Sequence, residues 1–112
     1  MKKGEIWRVR IPFRPGHTQT GDRPAVIVQD DQFNVLLPTI LIIPFTSTRA
    51  ASRFSGTYLV QPTPGNGLSL PSIALIFQMI ALDKRDCIQR LGIIDTVDLD
   101  RLYQLLDQLT GR

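Results

Sequence analysis

Cysteine and histidine occur once each in this chain of 112 residues, as Cys87 and His17. A lone cysteine cannot close an internal disulfide, a usage expected of a protein in a reducing cytoplasm. Cys87, followed by Ile88 in strand-like sequence, reads as a small core residue. Metal catalysis draws on clustered His, Cys, Asp or Glu. One His and one Cys far apart in sequence form no such cluster, and Asp30–Asp31 and Asp83/Asp86 fall in turn sequence, where Asp is favoured for its local hydrogen bonds. Neither a metal nor a cofactor is therefore expected. Long apolar runs are missing too: the longest, Ile73 to Phe77, is far short of the roughly 20 residues of a membrane helix. The basic start "MKKGEIW" has no apolar stretch behind it, so no signal peptide is expected. There is no P-loop and no G-x-G-x-x-G, and "PGNG" (64–67) reads as a turn without a following helix. No nucleophile elbow is present, although spacing alone leaves a Ser-His-Asp or Cys-His set open.

Acidic charge is scarce in the first half. Residues 1–60 hold eight Lys or Arg against four acids, and residues 61–112 hold five against six, giving a net charge of +3. Arg8, Arg10, Arg14, Arg23, Arg49 and Arg53 all lie in the first half. The asymmetry suggests a polyanion or an acidic peptide as partner, although exposed arginines also simply keep a protein in solution.

What the chain has is short strands. "EIWRVRI" (5–11) alternates, with Ile6, Arg8 and Arg10 on one side and Trp7, Val9 and Ile11 on the other. "PAVIVQ" (24–29) is an unbroken apolar run, expected of a strand covered on both faces or at a barrel centre, with Pro24 at its first position. "DDQFNVLLP" (30–38) opens with turn chemistry, and Asn34 could end one helical turn. "TILIIPFT" (39–46) predicts a third strand, with a bulge or an unpaired edge at Pro44. "GTYLVQP" (56–62) alternates, "TPGNG" (63–67) is the strongest turn signal, and "LSLPSIALIFQMIAL" (68–82) holds one or two strands. After the polar turn "DKRD", "CIQRLGII" (87–94) is the last strand. The period then changes: Leu99, Leu102, Leu106 and Leu109 recur at helical spacing beside Tyr103 and Leu105. Asp95 is placed as N-cap, with Asp98 three residues on, and Gly111 as the stop. The expected fold is α+β and mostly β: a small, mostly antiparallel barrel with one C-terminal helix, in a single domain over 1–112.

The chemistry left to such a chain is attack on an RNA phosphodiester without metal, because the substrate carries its own nucleophile, the ribose 2′-OH. The protein need only move protons and stabilise charge on the phosphorane. An arginine fork matches two phosphate oxygens and is always charged, and a nearby hydroxyl can orient the same phosphate. Arg23 and Thr46 suit these needs, each standing where an apolar strand meets a polar loop ("TGDR|PAVIV", "LIIPFT|STR"). The plainer alternative is that Arg23 forms a rim salt bridge with Asp22 and that Thr46 merely ends a strand.

The segments "KKGEIWRV", "GHTQTGDRPAVIVQDDQFN", "LPTILIIPFTS" and "QMIALDK", with a last strand and terminal helix, resemble the MazF/PemK/Kid family of toxins over nearly the whole chain. The resemblance implies an SH3-like barrel, a homodimer, and a metal-independent endoribonuclease that cuts single-stranded RNA at short sequences. The products would be a 2′,3′-cyclic phosphate and a 5′-hydroxyl. It also implies a cognate antitoxin whose acidic, flexible tail blocks the site, in keeping with the Arg-rich first half. Arg23 matches the arginine of the "R-P" motif, assigned to catalysis, and Thr46 the threonine after the third strand, with Ser47 following. Gln19 and Gly21 match the loop before the arginine, Gln78 a later glutamine, and His17 a histidine of the Kid branch. The expected site is thus Arg23, Thr46 and His17 as catalytic groups, with Gln19, Ser47, Arg53 and Gln78 on the substrate.

The chain also departs from the family. Thr18 and Phe77 stand where many members carry acids, and Leu75 and Ile80 where arginines occur. With those groups gone, His17 becomes the best proton donor or acceptor, since its unperturbed pKa of about 6.5 suits exchange at neutral pH. Two other readings follow: a member that binds RNA or antitoxin without cutting, and a non-enzymatic toxin on the same barrel that, like CcdB, poisons gyrase.

Overall fold

Four successive apolar residues, Ala25 to Val28, set the architecture. Side chains alternate across a strand: Val26 and Val28 join one buried cluster, Ala25 and Ile27 another. The unbroken run thus has a core on each face, as expected. The computed structural model describes residues 1–12, 16 and 20–112. Its elements are β1 (Glu5–Ile11), β2 (Gly21–Ile27), α1 (Asp31–Leu36), β3 (Thr39–Thr46), β4 (Thr57–Val60), β5 (Ser72–Leu75), β6 (Ile80–Asp83), β7 (Cys87–Ile93) and α2 (Thr96–Leu109). Single 3₁₀ turns cover Arg49–Arg53, Ile76–Gln78 and Lys84–Asp86.

All strand pairs are antiparallel, in the order β4-β5-β3-β2-β1-β7, with β6 also on β3. The fold is mostly β with a C-terminal helix. Among the described residues the sheet bends around its cores without closing, so it is barrel-like rather than a sealed barrel. β1 keeps the expected alternation: Ile6 enters one cluster, Val9, Ile11 and Trp7 the other.

Both strand prolines sit where a missing N–H does little harm. β3 pairs β6 through Ile42 and β5 from Phe45 onward, so Pro44 stands at the change of partner. Pro24 is not the first residue of β2, as expected, but the fourth. Among the described residues only β1 flanks β2 there, because pairing with β3 begins at Ala25. The start at Gly21 depends on partners: Asp22 and Arg23 lie opposite Arg10 and Val9.

The segment 30–38 forms a short helix rather than a single turn. Asp30 caps it, accepting from the Gln32 N–H at 3.1 Å. Asn34 is buried inside it, bonded to the Gln29 carbonyl and side-chain amide at 3.0 and 2.9 Å. In α2, Leu102 is fully buried and Leu99, Tyr103, Leu105 and Leu106 pack on the core beside it. Leu109 departs from the expected stripe: it is 51% exposed, and Leu105 takes the packing instead. Asp95 precedes the helix as placed but makes no side-chain capping bond. Asp98 accepts from the Tyr58 hydroxyl at 2.7 Å, tying α2 to β4. Cys87 is buried as expected, and burial together with Asp86 pushes its thiol pKa up.

The "TPGNG" turn lies flat against β7. Asn66, 1% exposed, accepts from the N–H groups of Thr63 and Leu68 and donates to the Gln61 carbonyl. Gly67 has φ +74°, and a Cβ there would stand 2.2 Å from the Leu91 carbonyl oxygen. This contact brings the 67–70 segment beside the head of β2.

Candidate functional site

The register of β2 on β3, Ala25 opposite Pro44, brings the head of β2 beside the end of β3. Arg23 stands on the first and Thr46 on the second. The guanidinium donates from Nε and Nη2 to the Thr20 carbonyl at 3.1 and 2.9 Å, and from Nη1 to the Phe45 carbonyl at 3.2 Å. Two strand ends therefore fix its position. Asp22 does not pair with it, against the rim-salt-bridge alternative; that carboxylate lies 3.4 Å from both Arg8 and Arg10. Partial burial lowers the arginine's pKa, from an ordinary value so high that the side chain stays a cation at neutral pH.

Thr46 is 8% exposed. Its Oγ1 accepts from the Thr48 N–H at 3.2 Å, turning the chain out of β3 into the Arg49–Arg53 turn. An accepted bond leaves the hydroxyl hydrogen to donate elsewhere.

Two hollows meet at this pair. One, of about 500 Å³, is bounded by Arg23, Thr46, Ser47, Leu68, Leu70 and Leu91 among others. The second, of about 650 Å³, is bounded by Arg23, Thr46, Arg53, Phe54, Phe77 and Gln78 among others. The structure thus brings together Arg23, Thr46, Ser47, Arg53 and Gln78. The remaining expected site residues, His17 and Gln19, lie outside the described residues. Among the described residues, no three His, Cys, Asp or Glu side chains gather as metal ligands would.

Some lining residues escaped the sequence reading. Thr48 borders both hollows and holds Thr46; its place two residues after Thr46, in "TST", was the available signal. Phe54 carried no signal, and Phe77 registered only as a departure from the family. Leu70 and Leu91 enter through the turn packed on β7, a long-range contact that no local pattern announces.

The sequence matches the profile of the PemK-like, MazF-like toxins of type II toxin–antitoxin systems over residues 2–110. The chain belongs to this family. It is 38% identical to the endoribonuclease PemK of Escherichia coli over 56 residues, 50% of this chain and 42% of that protein, so the match spans less than half of that relative. It is 27% identical to a probable endoribonuclease MazF of Mycolicibacterium smegmatis over 106 residues, covering 95% of this chain and 93% of the relative. Among solved structures, MazF of Deinococcus radiodurans superposes with a TM-score of 0.84 at 20% identity, covering 100% of this chain and 97% of that one. A MazE–MazF structure from the same organism superposes at 0.75 with 22% identity, covering 99% and 96%. At such identities the superpositions establish the fold. Within this family fold, the present chain has an apolar and aromatic border, Leu75 and Phe77, on the hollow beside Arg23.

Proposed function

We infer that the protein is a toxin endoribonuclease that cuts single-stranded RNA by attack of the ribose 2′-OH on the adjacent phosphate. One observation carries this reading: Arg23 and Thr46 share the hollows at the strand ends. The guanidinium sits there with no carboxylate among its bonds to described residues, so its charge is available to a phosphate.

In the reaction the 2′-oxygen bonds to phosphorus and the bond to the 5′-oxygen breaks. The 2′-OH proton passes to a base and a proton reaches the departing 5′-oxygen, leaving a 2′,3′-cyclic phosphate and a 5′-hydroxyl. Arg23 stabilises the extra negative charge of the phosphorane, where a fixed cation counts most. The Thr46 hydroxyl orients a phosphate oxygen. Ser47, Arg53, Gln78 and Gln19 hold the flanking RNA, and His17 exchanges the proton. No metal takes part. The active form is a cytoplasmic homodimer, and the partner that silences it is an antitoxin whose acidic segment occupies the same cationic hollow. The name MazE–MazF attached to a neighbour of this fold supports such a pairing.

A non-cutting RNA binder is the second reading. It is favoured by the composition of the larger hollow, whose described lining includes no carboxylate. The deciding experiment incubates the purified protein with mixed single-stranded RNA, with and without excess chelator, and sequences the ends. Discrete cuts with cyclic-phosphate ends in both arms are expected. Cuts lost in chelator would remove the metal-free mechanism, and RNA bound but uncut would establish the second reading.

A further inference from the structure

The larger hollow has a wall that the proposed phosphate chemistry does not use. Phe54 and Phe77 stand there with ring centroids 5.7 Å apart and planes inclined by 53°. The Arg53 guanidinium lies over the Phe54 ring, 4.8 Å from its centroid. The two rings remain 48% and 38% exposed. The backbone that carries them is nevertheless hydrogen-bonded. Phe54 closes the 3₁₀ turn before it, its N–H donating to the Ala51 carbonyl at 3.2 Å, and its own carbonyl accepts from the Thr57 hydroxyl at 2.9 Å. Phe77 follows the fully buried Ile76, whose N–H donates to the Gly56 carbonyl at 2.9 Å. The two segments that carry the rings are thus tied backbone to backbone.

We propose that Arg53, Phe54 and Phe77 form a stacking subsite for one unpaired base of the RNA, beside the phosphate held by Arg23. This rests on the reading of the protein as an RNA-cutting toxin. Single-stranded RNA alternates anionic linkages with flat π faces, and proteins hold it by pairing cationic surface with aromatic rings or arginine planes. This hollow offers both within one enclosure: Arg23 and Arg53 supply the charge, and Phe54 and Phe77 the faces. The carboxylates of an acidic peptide would satisfy the arginines without using the rings. A base gains specifically from the rings.

The test uses nine-nucleotide 2′-O-methyl RNA, which cannot supply the attacking hydroxyl: an oligo-A, an oligo-U and an abasic strand on the same backbone. Fluorescence anisotropy reads their affinities for the wild type, Phe54→Leu and Phe77→Leu, substitutions that keep apolar bulk at exposed positions. The wild type should prefer oligo-A over the abasic strand by roughly five- to hundredfold, the range of one stacked base. Each variant should bring that ratio toward one while leaving the salt dependence of binding, set by the arginines, unchanged. A ratio unmoved in both variants overturns the subsite. So does a wild-type dimer that the variants dissociate in sedimentation without moving the ratio, since the rings would then meet a second copy of the chain. If the wild type cuts mixed RNA and the ratio stays fixed, only the subsite fails. A wild type that neither cuts RNA nor binds any of the three strands would overturn the functional reading and the subsite together.

Discussion

The Arg23 guanidinium is bonded to the carbonyl of Phe45, 3.2 Å from Nη1, one residue before Thr46. A cation on β2 and a hydroxyl on β3 are thereby held to one another through backbone instead of through a carboxylate. The two modes of fixing differ electrostatically. A carboxylate would cancel the charge and compete with any phosphate. A carbonyl orients the fork and leaves the charge standing. Asp22, the nearest acid in sequence, is drawn off by Arg8 and Arg10, at 3.4 Å from each.

Arg23→Ala should therefore lower RNA cleavage by at least about a hundredfold, the loss typical of removing one donor that stabilises a transition-state charge. The thermal midpoint should move by only about 4 °C or less, since Phe45 lines the smaller hollow and Thr20 is only partly buried, so water can reach the freed carbonyls. Arg23→Lys should recover little, because an ammonium cannot bridge both carbonyls and a phosphate as a planar fork does. Rates on a labelled RNA, beside melting curves of the three proteins, check this. A collapsed melt for Arg23→Ala would make the residue structural.

Gly67 and Gly65 provide a matched pair two residues apart. At Gly67 a Cβ would sit 2.2 Å from the Leu91 carbonyl oxygen on a backbone with φ +74°, while at Gly65 it would meet nothing within 4 Å. Gly67→Ala should cost about 2 kcal/mol or more, from strain and from the displaced turn. Gly65→Ala should be close to neutral. Because Gly67 and Leu68 border the smaller hollow, the first variant should also raise KM for RNA. Denaturant unfolding of the two variants, with steady-state cleavage at a temperature where both are folded, separates the effects.

How much of this was legible in sequence depends on whether the cause was local. The run Ala25–Val28 announced a strand with a core on each face, and Pro44 announced a break in pairing, because period and a missing N–H are properties of the residue itself. The true start of β2 at Gly21 was hidden: Gly21 and Asp22 are poor strand formers, and they pair with Ile11 and Arg10 of β1. Leu109 fits the helical period yet stays half exposed, since periodicity does not tell where a helix outruns its partner. At the site, Arg23 and Thr46 stood at visible junctions between apolar strands and polar loops. The pairing of Phe54 with Phe77 depends on two turns, remote in sequence, meeting through Gly56 and Ile76, and no window of sequence contains both.

Stability should fall at high pH, with Tyr103 contributing. Burial first, then Asp30 and Asp31, push its phenol up to about 12 from the ordinary 10.0, and the hydroxyl donates to the Val28 carbonyl. Between pH 10 and 12 the unfolded chain has shed a proton that the folded chain keeps. Unfolding then releases a proton and becomes easier as pH rises. The contribution is complete below pH 10 and is lost through pH 12, on the order of 2 kcal/mol. Tyr103→Phe should be less stable at pH 8 by about 1 kcal/mol, for the lost hydrogen bond. That gap should shrink and reverse toward pH 12, because the variant has no phenol to ionise. Urea unfolding of both proteins across this range reads the crossing, and parallel curves would show that the phenol titrates alike in both states.

The group that exchanges the proton in the proposed reaction can be located by a pH–rate profile. Among the described residues around the two hollows the carboxylate is Asp22, already beside two arginines. Leu75 and Phe77 bring no ionisable group, and Arg23 cannot give up a proton near neutrality. The proposed reaction gives the exchange to His17, because a free imidazole has a pKa of about 6.5. If it takes the 2′-OH proton, kcat/KM should rise with pH through an acidic limb and level off above it. His17→Gln should lower the plateau by about a hundredfold, within the range of general-base catalysis, and erase the limb. Asp22→Asn should leave the limb in place. A limb that survives in His17→Gln and vanishes in Asp22→Asn would transfer the base to β2, and would mean that Arg8 and Arg10 tune it rather than merely pair with it.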